Sequence, residues 1–179
     1  DGFVIAGGSA VLLLEAEEVA RRRGARIYGE IAGYGAASDS ADMVQPNADG
    51  VARAIRAALV EAGHPTIDYI NPHATSTPSG DVAELDAIRT VFGEDIPTIS
   101  ATKGLTGHSI AAISAQEAIF CLLMMRDSFV AASANLVNAD DGYDQMPIAR
   151  MTAKREFASA LSTSIGFGGT NAAIVFRRI

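Results

Sequence analysis

Short apolar strands alternate with helical stretches along most of this 179-residue chain, and that alternation restricts the fold more than any other feature. Residues 27–34 alternate apolar with polar and read as a strand. Val51, Ala54, Ile55, Ala58 and Leu59 then form one face of a helix. Residues 67–70 read as a strand and 81–92 as a helix, with Val82, Leu85, Ile88 and Val91 inward. Asp81, with Glu84 three residues on, has the pattern of a capping box. Residues 97–101 read as a strand, and 109–126 as an almost wholly apolar helix expected to be buried on every side. Residues 129–135, 158–164 and 172–178 complete the strands. From Ile27 onward the order reads β-α-β-α-β-α-β-β, an α/β fold with a mostly parallel, helix-covered sheet. Ahead of it, residues 3–6 and 10–15 read as a β-hairpin around Gly7-Gly8-Ser9, and 15–23 as a short helix stopped by Gly24. Residues 35–49, rich in Gly, Ser, Asp and Pro, read as a long loop of the kind that often carries function.

The balance of charge excludes some functions. A net charge of −7 disfavours nucleic-acid binding, which needs a clustered basic face. The basic cluster Arg21, Arg22, Arg23 and Arg26 reads as a solvated helix end. No apolar run is long enough to cross a bilayer; the longest, 111–125, contains Gln116 and Glu117. A single cysteine allows no internal disulfide and fits a reducing cytoplasm. The first residues enter as a strand without a leader pattern or initiator Met, so the chain reads as a piece of something longer.

Three loops that follow strands hold the unusual residues. They are Asn71-Pro72-His73-Ala74-Thr75-Ser76-Thr77-Pro78, Thr102-Lys103-Gly104-Leu105-Thr106-Gly107-His108, and Ser162-Thr163-Ser164-Ile165-Gly166-Phe167-Gly168-Gly169-Thr170-Asn171. Ligand sites of α/β sheets collect at strand carboxyl ends, where these loops fall. Each has a plain reading on its own: His73 a loop histidine, Lys103 a surface ammonium, the glycines a tight turn. At the start of the 109–126 helix, His108 is expected to stay neutral, because the positive end of the helix dipole disfavours a cation. Glu117 interrupts the most apolar helix and must be paired with a buried donor or bound to an ion.

Taken together the loops resemble the signatures of the β-ketoacyl-acyl-carrier-protein synthases. These place histidine in Asn-x-His-Gly-Thr-x-Thr-Pro, lysine and histidine in Thr-Lys-x-x-x-Gly-His, and end in Gly-Phe-Gly-Gly-Thr-Asn-Ala. The segment Ser38-Asp39-Ser40-Ala41-Asp42-Met43-Val44 looks more like the type I than the type II enzymes. The resemblance implies a thiolase-like fold of two similar halves. Residues 1–16 would be the terminal hairpin of the amino-terminal half, and 17–179 the complete carboxy-terminal domain. It further implies decarboxylative condensation of malonyl-acyl carrier protein with an enzyme-bound acyl thioester. His73 and His108 would be the active-site histidines and Lys103 their neighbour. Thr75 and Thr77 would grip the phosphopantetheine arm, which the carrier protein brings, so no cofactor of the chain's own is implied. Phe167, freed by Gly166, Gly168 and Gly169, would be a gatekeeper, with residues 35–46 and Asp39 as the second gating loop. A monovalent cation would lie at Asn71, Glu117, Ser162 and Thr163. The whole protein would be a cytoplasmic homodimer with acyl carrier protein as partner, and neither nucleic acid nor membrane.

The sequence departs from the pattern at Ala74, which replaces a glycine, at Ile165, which replaces a phenylalanine, and at Thr163, which replaces an asparagine. Cys121 lies inside the apolar helix and reads as structural, so the nucleophilic cysteine is expected outside this chain. The alternative is a non-catalytic partner subunit like the chain-length factors, against which stand His73, His108 and Lys103. A thiolase-like degradative enzyme would need a second cysteine near the last glycine loop, and there is none. An isolated binding module would leave the first hairpin unpaired.

Overall fold

The computed structural model describes residues 2–39 and 42–179. In chain order the elements are α1 (Glu17–Arg22), β1 (Glu30–Ser38), α2 (Ala48–Glu61), β2 (Tyr69–Asn71), α3 (Pro78–Phe92), β3 (Thr98–Ile99) and α4 (Lys103–Thr106), followed by α5 (Ile113–Asp127), β4 (Phe129–Val130), β5 (Ala153–Lys154), β6 (Ser159–Gly166) and β7 (Thr170–Arg177). Side chains alternate across a strand, and here both faces are apolar, so both need a cover. Ile70, Leu161, Ala173 and Val175 face α2 and α3, where Val51, Ile55, Ala58 and Ile88 meet them. Tyr69, Ala160 and Phe176 face the other way, onto Ala118, Cys121, Met124 and Met125 of α5. The result is one sheet between two helical layers.

The main sheet runs β1-β7-β6-β2-β3, and it is mixed rather than mostly parallel. β2 is parallel to β3 and to β6, while β7 is antiparallel to both β6 and β1. The three residues between β6 and β7 explain this, since a loop so short can only turn a hairpin, whereas parallel neighbours need a crossover such as α3. β4 pairs only with β5, in a separate two-stranded ladder, so the strand expected at 129–135 does not join the main sheet.

Four other expectations are corrected. The hairpin over residues 3–15 is not formed: the described residues among 2–16 contain no strand, and Ile5 bridges to His108 instead. An isolated two-stranded hairpin is marginal, and the backbone beside His108 offers this segment a partner. The long loop expected at 35–49 is shortened at both ends, because β1 continues to Ser38 along β7 and α2 begins at Ala48. Gly33 and Gly35 mark a close approach: a Cβ on Gly33 would collide with the Ala58 carbonyl of α2, and one on Gly35 with that of Ala54. The last long helix starts at Ile113, not 109, since Ile110 adopts φ +53°, which a right-handed helix cannot continue. Nor is it buried all round; Ile113, Glu117, Cys121 and Met124 form its buried stripe, while Phe120, Leu122 and Leu123 are half-covered. The 38–44 segment lies partly outside the described residues, as does Asp1 of the expected hairpin.

Candidate active site

β2 delivers the chain to Asn71, and the loop that follows is held by carboxylates. α3 begins at Pro78, a residue suited to a first helical position, so Asp81 and Glu84 fall inside the helix and not at its cap. Both reach back past its start. Asp81 Oδ1 accepts from the backbone N–H groups of Ser76 (3.1 Å) and Thr77 (3.3 Å). Glu84, 2% exposed, accepts from the N–H groups of His73 and Ala74, each at 2.8 Å, and from the Thr163 hydroxyl at 2.5 Å. That grip holds Ala74 at φ +30° and Ser76 at +64°, the left-handed region where side chains are disfavoured. The alanine in place of glycine is thus accommodated by a fixed backbone. Burial, with the nearby Glu84 charge, pushes Asp81 up to about 6.

The second loop folds into the one-turn helix α4, where an open loop was expected. Lys103 opens it and is buried, its Nζ 2.6 Å from Glu117 Oε1. The Thr102 hydroxyl donates to the same oxygen at 3.4 Å. Burial raises Glu117 to about 7, against the pull of Lys103. His108 lies five positions before α5, so the helix dipole is not what keeps it neutral. Burial lowers its pKa first, and the Lys103 charge adds to this. Its backbone is stitched to the first segment: its N–H donates to the Val4 carbonyl (2.8 Å) and its carbonyl accepts from Ala6 N–H (3.0 Å). The Ile110 N–H donates to His108 Nδ1 at 3.2 Å, so Nδ1 carries no proton and Nε2 is the donor.

The two histidine rings meet edge to face, centroids 5.2 Å apart, and Phe3 packs on His108 at 5.3 Å. Burial, then Lys103 and His108, lower His73 to about 3. Two neutral imidazoles beside a buried ammonium can donate hydrogen bonds to an oxygen that gains negative charge. A groove of about 810 Å³ opens here, lined among others by Thr75, Thr77, Lys103 and His108. The family description "Beta-ketoacyl synthase, C-terminal domain" matches residues 28–137. The chain belongs to the β-ketoacyl synthase family. It is 51% identical to 3-oxoacyl-acyl-carrier-protein synthase 1 of Escherichia coli K12, over all of this chain and 44% of that protein. It therefore corresponds to the carboxy-terminal half and spans a little under half the length of this relative. Among solved structures, the ishigamide ketosynthase/chain length factor superposes with a TM-score of 0.93 at 35% identity, covering 99% of this chain and 45% of that one. A type II polyketide ketosynthase, described in complex with its acyl-carrier protein and bound to the hexaketide, gives 0.87 at 34% identity, covering 92% and 42%. The fold is thiolase-like, as in these ketosynthases.

Other residues singled out from the synthase signature are placed less centrally. The Thr75 and Thr77 hydroxyls bond each other at 3.1 Å. Phe167 is 70% exposed at the tip of the β6–β7 hairpin, with Gly168 and Gly169 both at φ +77°. None of Gly166, Phe167, Gly168 and Gly169 lines the groove. The hairpin is tied to the 39–47 loop: Gly168 N–H donates to the Met43 carbonyl (2.9 Å), Asp39 N–H to that of Gly169 (3.0 Å), and Asn171 Nδ2 to Asp39 Oδ2 (2.9 Å). Thr163 turns to Glu84, and one Glu117 oxygen to Lys103. Asn71 Oδ1 and Glu117 Oε2 are buried and make no hydrogen bond among the described residues. Cys121 is fully buried, and burial pushes its thiol far up, away from the thiolate. Glu84, Asp81 and Asn171 were not found as site residues from sequence; the readable signal for the first two was a capping pattern that the actual helix start reassigns.

Proposed function

We propose that the protein containing this chain condenses malonyl-acyl carrier protein with an acyl group held on a cysteine supplied from outside these residues. The observation that carries the reading is the pair of histidine rings meeting edge to face, 5.2 Å apart, with Lys103 buried in the same loop as His108. In the decarboxylation the bond from the malonyl carboxylate to Cα breaks, CO₂ leaves, and the electron pair moves onto the thioester oxygen as an enolate. His108 Nε2–H and His73 donate to that oxygen, while burial, aided by the Lys103 charge, disfavours protonation of both rings. The enolate carbon then attacks the acyl thioester, and the cysteine leaves as thiolate. Thr75 and Thr77 at the groove receive the phosphopantetheine arm, and Phe167 with the Asp39 loop gates the acyl chain. The acyl-carrier complex named for a structural neighbour supports acyl carrier protein as the partner. A cytoplasmic homodimer completes the proposal; no described helix is long and apolar enough to cross a membrane.

The unpartnered Asn71 Oδ1 and Glu117 Oε2 fit a monovalent cation, with Ser162 beside them in the β2–β6 register and Thr163 withdrawn to Glu84. A higher melting temperature in potassium than in tetramethylammonium would support that site, and equal values would remove it. The central test is His108→Ala in the full-length protein. Decarboxylation of malonyl-carrier should fall by about 10²–10³, while acyl transfer to the cysteine falls much less. Equal loss in both half-reactions would overturn the assignment. Absence of both in the unaltered protein would favour the chain-length-factor-like reading, which the name of one structural neighbour keeps in view.

A further inference from the structure

The segment after β4 runs beside the turn that carries Lys103 and touches it on both sides. Ser133 Oγ accepts from the Ala101 N–H at 3.0 Å, two residues before Lys103. Asn135 Nδ2 donates to the Gly104 carbonyl at 2.9 Å, one residue after it. The approach is tight: a Cβ on Gly104 would collide with the Ala134 carbonyl. Asn135 itself sits at φ +65°, a conformation that Asn tolerates better than most residues and that aims its amide at α4. A four-residue helix has too few internal bonds to fix its own shape, so these outside bonds do the fixing.

We propose that Asn135, with Ser133, is a positioning residue for Lys103, setting where its ammonium stands relative to His73 and His108. The inference rests on the condensing reading only for its catalytic consequence. The charged and titratable groups in play are Lys103 of α4, Glu117 of α5 paired with it, Glu84 of α3 holding the His73 backbone, and the two histidines facing each other. Burial lowers His108 first and the Lys103 charge adds to this, so a displaced ammonium should let its midpoint rise.

The test is Asn135→Gly, which keeps the positive φ and adds no charge while removing the amide. The His108 imidazole titration is followed by ¹⁵N NMR, its resonances assigned by their loss in His108→Ala. In the full-length protein the His108 midpoint should rise. The acid limb of malonyl-carrier decarboxylation should move up with it, and kcat should fall about 10- to 100-fold with little change in KM. Ser133→Ala should move the same quantities in the same direction by less, and it decides the matter if the glycine variant does not fold. A His108 midpoint and an acid limb unchanged in the folded variants, with only the melting temperature lowered, would overturn the proposal. The NMR arm holds even if no decarboxylation is found, so failure of the condensing reading is distinguishable from failure of this one.

Discussion

At the scale of single residues, Glu84 does more than its sequence context suggests. A carboxylate that is almost fully buried is costly unless several donors surround it, and here two backbone N–H groups and a hydroxyl do so. Those donors belong to His73, Ala74 and β6, so the side chain ties the histidine loop to the sheet. Glu84→Gln replaces one accepting oxygen by an NH₂ that faces another donor. Urea unfolding should show a loss of about 1–3 kcal/mol, with decarboxylation weakened as the loop loosens. An unchanged unfolding midpoint would mean that the loop holds without the carboxylate.

Among the elements, periodicity made α2, α3, β6 and β7 readable to within a few residues, because each buries one regular stripe or face. It could not reveal which strands pair or in which direction, since that depends on loops and partners far along the chain. Gly33 and Gly35 illustrate the limit. Gly33 fell inside the expected strand and Gly35 at the start of the expected loop, yet both lie in β1 where α2 rests directly on the strand. Gly35→Ala should therefore act as overpacking and cost about 1–3 kcal/mol by thermal or chemical unfolding. A neutral result would show that α2 can ride outward. The candidate site divides in the same way. His73, Lys103 and His108 carried a pattern of their own, whereas Asn135 and Glu84 matter only through what they touch 31 and 10 to 11 residues away.

For the whole molecule, the described surface keeps a large apolar area near the first segment and α5. Val4 and Ile5 are both 73% exposed, Leu13 82% and Val11 90%, and a second groove between 11–14 and Leu122–Leu123 continues that surface. Patches of this extent favour association. The purified 179-residue chain should elute as oligomers by size-exclusion with light scattering, and a monodisperse monomer would contradict this. The same first segment carries a different consequence. Beyond the Phe3 ring, its contact with His108 runs through the Val4 carbonyl and the Ala6 amide, while the side chains of Val4 and Ile5 are largely exposed. Position 6 is thereby closed to an imino acid, which would have no N–H to give the His108 carbonyl.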